Sequence, residues 1–185
     1  GTALAELVQG ENAVTYGVEL AENRADKATD ILNEVAYGSF FRCDISSDAF
    51  HCVFLNPPYI SQLNEYGFRQ RMERYFLSQS LPLLVKSGLL IYIIPYYRAT
   101  KEVCTALCSA LDNIRVYRFL DAEFKKFHQV VFMGTKCTNK DEKMAVLETD
   151  RLIQLLVCPD HIPLITELPE KCYSLPDSSL AVKRF

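Results

Sequence analysis

Several signals are scarce or absent in this 185-residue chain, and each absence closes off a class of protein. No long apolar run occurs: Leu89 to Pro95, the longest, is far short of the roughly 20 residues of a membrane-spanning helix, so no membrane partner is expected. Seven glycines and eight prolines are too few for a collagenous or low-complexity chain. No C-x-x-C pair occurs among Cys43, Cys52, Cys104, Cys108, Cys137, Cys158 and Cys172. Their odd number and wide scatter point to reduced thiols in an intracellular, cytoplasmic protein. Histidine is rarer still, and His51, His128 and His161 do not cluster as metal ligands do. His51 and Cys52 are neighbours on an expected strand and face opposite ways, so no metal site is expected. Charge of one sign is not in excess: the net charge is -3 and the pI about 5.7. That argues against a protein that coats nucleic acid through a large positive field, while leaving room for a local basic cleft. No charged-then-apolar leader opens the chain.

What is present is the material of a globular core. Hydrophobic residues make up 49% and charged residues 23%, close to the soluble average. Residues 13–20 (AVTYGVEL) read as a buried strand. A helix is expected over 23–37, with Ala25, Ala28, Leu32 and Val35 at helical spacing and Gly38 as its C-cap. Residues 39–45 and 49–55 read as two further strands, the second running into Asn56-Pro57-Pro58-Tyr59, where two prolines force a turn. A helix is expected over 68–86, kinked or divided at Pro82. Residues 88–96 (GLLIYIIPY) read as a central parallel strand covered on both faces. Thr100 is positioned to cap a helix bearing Val103, Leu107 and Leu111. Strands over 114–120 and 129–136 form an expected antiparallel pair.

This pattern predicts an α/β fold: a doubly wound, mostly parallel sheet with a C-terminal antiparallel hairpin. No strand precedes Gly1-Thr2 and the short helical stretch after it, so the first central strand of such a sheet is expected to be absent. The domain organisation expected is a core over 1–143 and a proline-containing extension over 144–185. Pro159, Pro163, Pro169 and Pro176 fall within that extension, and no regular α/β unit is expected there.

Asn56-Pro57-Pro58-Tyr59 carries the chemistry. It follows a buried strand at the carboxyl end, where open α/β sheets place ligands. The Asn56 side chain offers a carbonyl acceptor, and the missing proline N–H leaves the Pro57 carbonyl available as a second. Tyr59 adds a rigid aromatic face. Two acceptors and a ring suit a planar exocyclic amine.

The motif resembles the Asn/Asp/Ser-Pro-Pro-Tyr/Phe signature of class I S-adenosylmethionine-dependent methyltransferases that act on amines, and within them the N6-adenine DNA methyltransferases. The resemblance covers roughly residues 1–137. It implies Asn56, Pro57, Pro58 and Tyr59 as catalytic residues and S-adenosylmethionine as cofactor. Gly1 and Thr2 match the end of the glycine-rich cofactor loop. Glu19 matches the acidic residue that holds the ribose hydroxyls. Asp44 matches the one that accepts from the cofactor's adenine, with Ile45 lining that ring and Asn56 completing the cofactor site. Glu19, Asp44 and Asn56 close three successive expected strands. Phe124 and Phe127 stand where the family has an aromatic against the extruded base, beside Tyr59.

Basic residues gather at Arg69, Arg71 and Arg74 and at Arg115, Arg118, Lys125 and Lys126. Arg69, Arg71, Lys125 and Lys126 are candidate phosphate contacts, although neighbouring carboxylates dilute both groups. DNA is the expected partner. The same signature also serves glutamine methylation in release factors and amino methylation in RNA, and a methyltransferase-like module without turnover is a third reading.

Overall fold

The computed structural model describes residues 1–59, 61–63, 69–177 and 182–185. Phe68, the expected start of a helix, lies outside the described residues. Contacts group the chain into two units, Gly1–Ser46 with Val182–Phe185, and Ser47–Ala181.

The first unit contains α1 (Thr2–Leu7), β1 (Tyr16–Glu19), α2 (Glu22–Thr29) and β2 (Glu34–Tyr37). β1 and β2 pair in parallel, from Tyr16 opposite Glu34 to Glu19 opposite Tyr37. Ala25 and Ala28 on α2 and the following Leu32 are buried. Leu32 closes onto Gly17, where its Cδ1 lies 2.8 Å from the place a Cβ would take.

The helix expected over 23–37 is corrected: it stops at Thr29, and 34–37 is strand. Thr15 and Asn33 are the reason. The Asn33 side-chain oxygen accepts from the Thr15 N–H and hydroxyl, both at 2.8 Å, while the Asn33 N–H donates to the Thr15 hydroxyl at 3.0 Å. This clamp draws the chain out of the helix and sets the register of β2 on β1. The strand expected over 39–45 is also corrected. Gly38 turns the chain at φ +148°, and Phe40–Arg42 form one 3-10 turn.

The second unit holds β3 (Phe50–Leu55), β4 (Ser61–Leu63), β5 (Arg69–Arg71), α3 (Met72–Ser80), β6 (Leu84–Pro95) and α4 (Lys101–Ala110). β7 (Leu111–Arg118), α5 (Asp121–Phe127), β8 (Gln129–Lys136) and α6 (Glu142–Val157) complete it. Its main sheet has the order β3-β6-β8-β7, with β3 parallel to β6 and the other neighbours antiparallel. β4 and β5 form a separate antiparallel pair. The fold is therefore α/β with a mixed sheet, parallel where strand-helix units build it and antiparallel at the C-terminal hairpin.

β6 is the spine of this unit because both of its faces are apolar. Leu90, Tyr92 and Ile94 pack with Phe132 and with Val103 and Leu107 of α4. The alternate residues Leu89, Ile91 and Ile93 pack with Val131 and Met133 on the other face. Each fully buried aliphatic side chain of this kind is worth roughly 1.5–3 kcal/mol. The helix expected over 68–86 is corrected at both ends: Arg69–Arg71 is strand β5, α3 runs only from Met72 to Ser80, and at Pro82 a 3-10 turn leads not into a second helix but into β6, which begins at Leu84.

The irregular extension expected after 143 is corrected in its first part. Asp141 caps α6 by accepting from the Met144 N–H at 2.9 Å, and Ala145, Thr149, Leu152 and Leu156 form the buried face. The prolines begin only after this helix. Among the described residues, no helix is long and apolar enough to cross a membrane.

Candidate active site

β3 delivers Asn56 at its carboxyl end, where Leu55 stands opposite Tyr92 of β6. β8 runs the other way, so its first residue, Gln129, stands opposite Pro95 at the end of β6. Two strand ends and one strand start thus converge on one edge. Asn56 is exposed there, Pro57 is buried, Pro58 is exposed and Tyr59 is half-buried against the core.

Tyr59 is fixed at both ends. Its hydroxyl donates to Asn56 Oδ1, with the Ile93 carbonyl a second acceptor at 3.3 Å. Gln129 Nε2 donates to the same hydroxyl at 2.7 Å. At the backbone end, Arg98 Nη2 donates to the Tyr59 carbonyl at 3.1 Å. Arg98 Nη1 meets Glu73 at 3.4 Å, and the Glu73 side chain is fully buried. Tyr92 donates to the Glu73 backbone carbonyl at 2.9 Å, so α3, β6 and the turn after it all brace the motif. Burial pushes the Tyr59 phenol up, an effect the Gln129 donor partly offsets.

Beside the motif lies an aromatic group. The Tyr96 ring packs on Phe124 at 6.0 Å and on His128 at 6.2 Å, and Tyr97 lies 6.3 Å from His128. Phe124 is only 7% exposed, under the Arg118 guanidinium at 5.4 Å. Its ring is core, which does not suit the contact with an extruded base expected for it. Phe127 is 49% exposed, with Lys126 Nζ 4.9 Å from its ring centre. Lys125 is exposed on the last turn of α5, and Arg71 is exposed at the end of β5. The Arg69 side chain lies outside the described residues. The hairpin loop expected around Phe124 and Phe127 is the helix α5.

The remaining candidates belong to the first unit. Gly1 is the N-cap of α1, and a Cβ there would stand 2.9 Å from Ile31 Cδ1; Thr2 is exposed. Glu19 closes β1 as expected. Its Oε1 accepts from Arg24 at 2.7 Å and from the Ala21 N–H at 2.9 Å, and the Arg24 bond holds the carboxyl below the usual carboxylate range. Asp44 does not close a strand, because β2 ends at Tyr37; it is exposed and bonded to Arg184 at 2.8 Å, with Ile45 beside it half-buried. Among the described residues, no three His, Cys, Asp or Glu side chains group to hold a metal.

Gln129 and buried Glu73 were not among the candidates. Gln129 is 70 residues from Tyr59, and only the β6–β8 register brings it to the motif. A glutamate followed by Arg74 gives no sequence sign of full burial.

A parallel β3–β6 pair flanked by helices, with an antiparallel hairpin beyond it, is a Rossmann-like arrangement. The chain belongs to an uncharacterised methyltransferase family, DUF6094, whose model matches residues 1–178. Solved structures agree on the fold. A predicted O-methyltransferase from Agrobacterium tumefaciens is 16% identical with TM-score 0.53, over 76% of this chain and 71% of that one. A tRNA (m1A58) methyltransferase from Aquifex aeolicus is 13% identical with TM-score 0.50, over 74% of this chain and 58% of that one. A Listeria monocytogenes protein described as a class I S-adenosylmethionine-dependent methyltransferase is 11% identical with TM-score 0.56, over 83% and 57%. The chain thus spans little more than half the length of the last two. No curated protein matches the chain.

S-adenosylmethionine presents a ribose diol and an adenine amine, all hydrogen-bond donors. Glu19 suits the diol: it is an ionised carboxylate at the carboxyl end of a parallel strand, with its side chain 27% exposed. Asp44 offers a second exposed carboxylate acceptor, paired in this structure with Arg184. The donor and acceptor chemistry therefore fits the cofactor.

Proposed function

We propose that this protein transfers a methyl group from S-adenosylmethionine to the exocyclic amine of adenine in DNA. The observation that carries the reading is the Asn56–Tyr59 pair, hydrogen-bonded to each other at the carboxyl end of β3. Family membership supports methyl transfer, and the residues at the edge support an amine acceptor.

When bound, S-adenosylmethionine supplies an electrophilic methyl on a sulfonium. Glu19, Asp44 and Ile45 are its proposed contacts. Asn56 Oδ1 has two lone pairs; Tyr59 takes one, and the other accepts an amine hydrogen, with the Pro57 carbonyl as the second acceptor. Holding both hydrogens favours rehybridisation of a nitrogen whose lone pair is delocalised into the base ring. With the cofactor bound, the amine nitrogen held by Asn56 and Pro57 would take the methyl from the sulfonium, leaving a neutral thioether, and would then lose a proton to solvent. Tyr59 stacks on a base taken out of the duplex. Exposed Phe127, with Lys125, Lys126 and Arg71, supports a nucleic acid over a protein amide. The chain's contribution is positioning.

Tritiated methyl transfer to DNA, RNA and a release factor, run in parallel on the full-length protein, tests this. Label in DNA is expected. Label in the release factor alone reassigns the chain to glutamine methylation. No label anywhere, with no cofactor heat in calorimetry, leaves a non-catalytic module. Replacing Asn56 with Ala removes an acceptor used most in the transition state, so turnover should fall about 100-fold. Cofactor affinity should change far less, and an equal loss in both would sink the assigned role.

A further inference from the structure

We propose that Gln129 is a positioning residue for the amine site: by donating to the Tyr59 hydroxyl, it directs that hydroxyl's single proton onto Asn56 and fixes which end of the Asn56 amide is the acceptor. The inference rests on the reading of Asn56 as the amine's acceptor.

An asparagine amide has an oxygen and an NH₂ of nearly the same shape. Only the oxygen accepts a hydrogen from an amine; a flipped amide would turn two donors against it. Something must therefore tell the two ends apart, and a hydroxyl proton does so. The Tyr59 phenol has one proton and two acceptors in reach, Asn56 Oδ1 and the Ile93 carbonyl. Gln129 Nε2, 2.7 Å away, occupies a lone pair of the phenol oxygen. A donor there polarises the O–H and strengthens the bond it makes onward.

The anchor is rigid. Gln129 begins β8 and is paired with Pro95 of β6, so the relay starts on the central sheet rather than on a loop. Arg98, braced by buried Glu73, fixes the Tyr59 backbone at the other end. Tyr59 is thereby held from outside its own motif at both ends.

The test is Gln129→Met, close in shape but without the donor, and Gln129→Glu, whose carboxylate takes the phenol proton for itself. Nitrogen-15 NMR reads the Asn56 side-chain NH₂ signals, and carbon-13 tyrosine NMR reads the Tyr59 titration. Both variants should shift the Asn56 signals and raise the ionisation midpoint of Tyr59, most strongly in Gln129→Glu. With the wild-type substrate, kcat should fall about tenfold in Gln129→Met, the worth of one such bond, with the KM for S-adenosylmethionine unchanged. In a Tyr59→Phe background, Gln129→Met should have no further effect, because the hydroxyl it acts through is gone. Unchanged Asn56 signals in folded variants that still transfer methyl, or additive losses with Tyr59→Phe, overturn the role of Gln129 alone. A wild-type protein that methylates nothing, while its Asn56 signals respond to Gln129→Met, overturns the amine site itself.

Discussion

At the scale of single residues, burial sets reactivity. All seven cysteines are free thiols. Cys104 and Cys108 lie on the buried face of α4, and burial pushes Cys104 up to about 12. Cys52 on β3 is pushed up to about 11 for the same reason. Only the thiolate reacts quickly. At pH 8 a thiol reagent should therefore label exposed Cys158 first, with Cys52, Cys104 and Cys108 reacting only on unfolding. Peptide mapping after brief alkylation checks this, and early label at Cys104 would refute it. Tyr59 obeys the same logic from the opposite side: its phenol is pushed up by burial and remains a proton donor to Asn56 through the physiological range.

At the scale of elements, the position of the Asn56–Tyr59 turn depends on how β3 lies on β6. Phe50 pairs with Leu84 but Cys52 with Leu89, so β6 carries extra residues at this irregularity. Gly88 sits in it, and a Cβ there would stand 2.9 Å from the Val85 carbonyl oxygen and 3.1 Å from that of Phe50. Those atoms are backbone and yield little. Gly88→Ala should cost about 1–3 kcal/mol and lower turnover by displacing β3, measured by urea unfolding alongside the methyl assay. Unchanged stability would show that the strands tolerate the methyl group.

A second joint ties β7 to α6 through Lys140, which meets Asp112 at 2.7 Å and Glu148 at 2.9 Å. Lys140 first, and then Cys137, lower the pKa of the Asp112 carboxyl. A lowered carboxyl stabilises the fold above its unfolded value, about pH 4, and that contribution fades as pH falls through the folded value. Wild type and Asp112→Asn should thus differ in urea stability at pH 6 and converge toward pH 3. A gap that stays constant across that range would remove the ion pair from the account.

Elements also show what the sequence could convey. β3, the core of β6 and β8 were legible because their apolar runs are continuous and their ends are marked by proline, glycine or charge. The turn at Asn56–Tyr59 was legible because two adjacent prolines end the strand before it. β2 was not, since Leu32 and Val35 fit helical spacing equally well and the Thr15–Asn33 clamp that overrides it spans 18 residues. The Asp44 placement failed with it. Gln129 was invisible for the same kind of reason: its role depends on strand register, which no local pattern encodes. α6 was hidden by the prolines that follow it.

At the scale of the molecule, the first unit is closed by residues far away in the chain. Phe185 packs edge-on against Tyr16 of β1 at 4.9 Å, the Arg184 N–H donates to Ser46 at 3.0 Å, and the Arg184 side chain reaches Asp44. Phe185→Ala should therefore reduce hydrogen-exchange protection of the β1 and β2 amides and leave those of β6 and β8 unchanged. Equal loss in both sheets would mean that the two units unfold together.

The same closure governs how the chain is made. Residues 1–46 leave the ribosome before the second unit, yet their partners at 182–185 are synthesised only after the whole of it. At roughly 5–20 residues per second, the wait is on the order of ten seconds. Through it the nascent β1–β2 pair lacks the Phe185 ring, while β3, β6, β7 and β8 are all available to fold. Of the two units, the one begun earlier is completed later, and its strands stay exposed to proteases and holding chaperones for the whole of that wait.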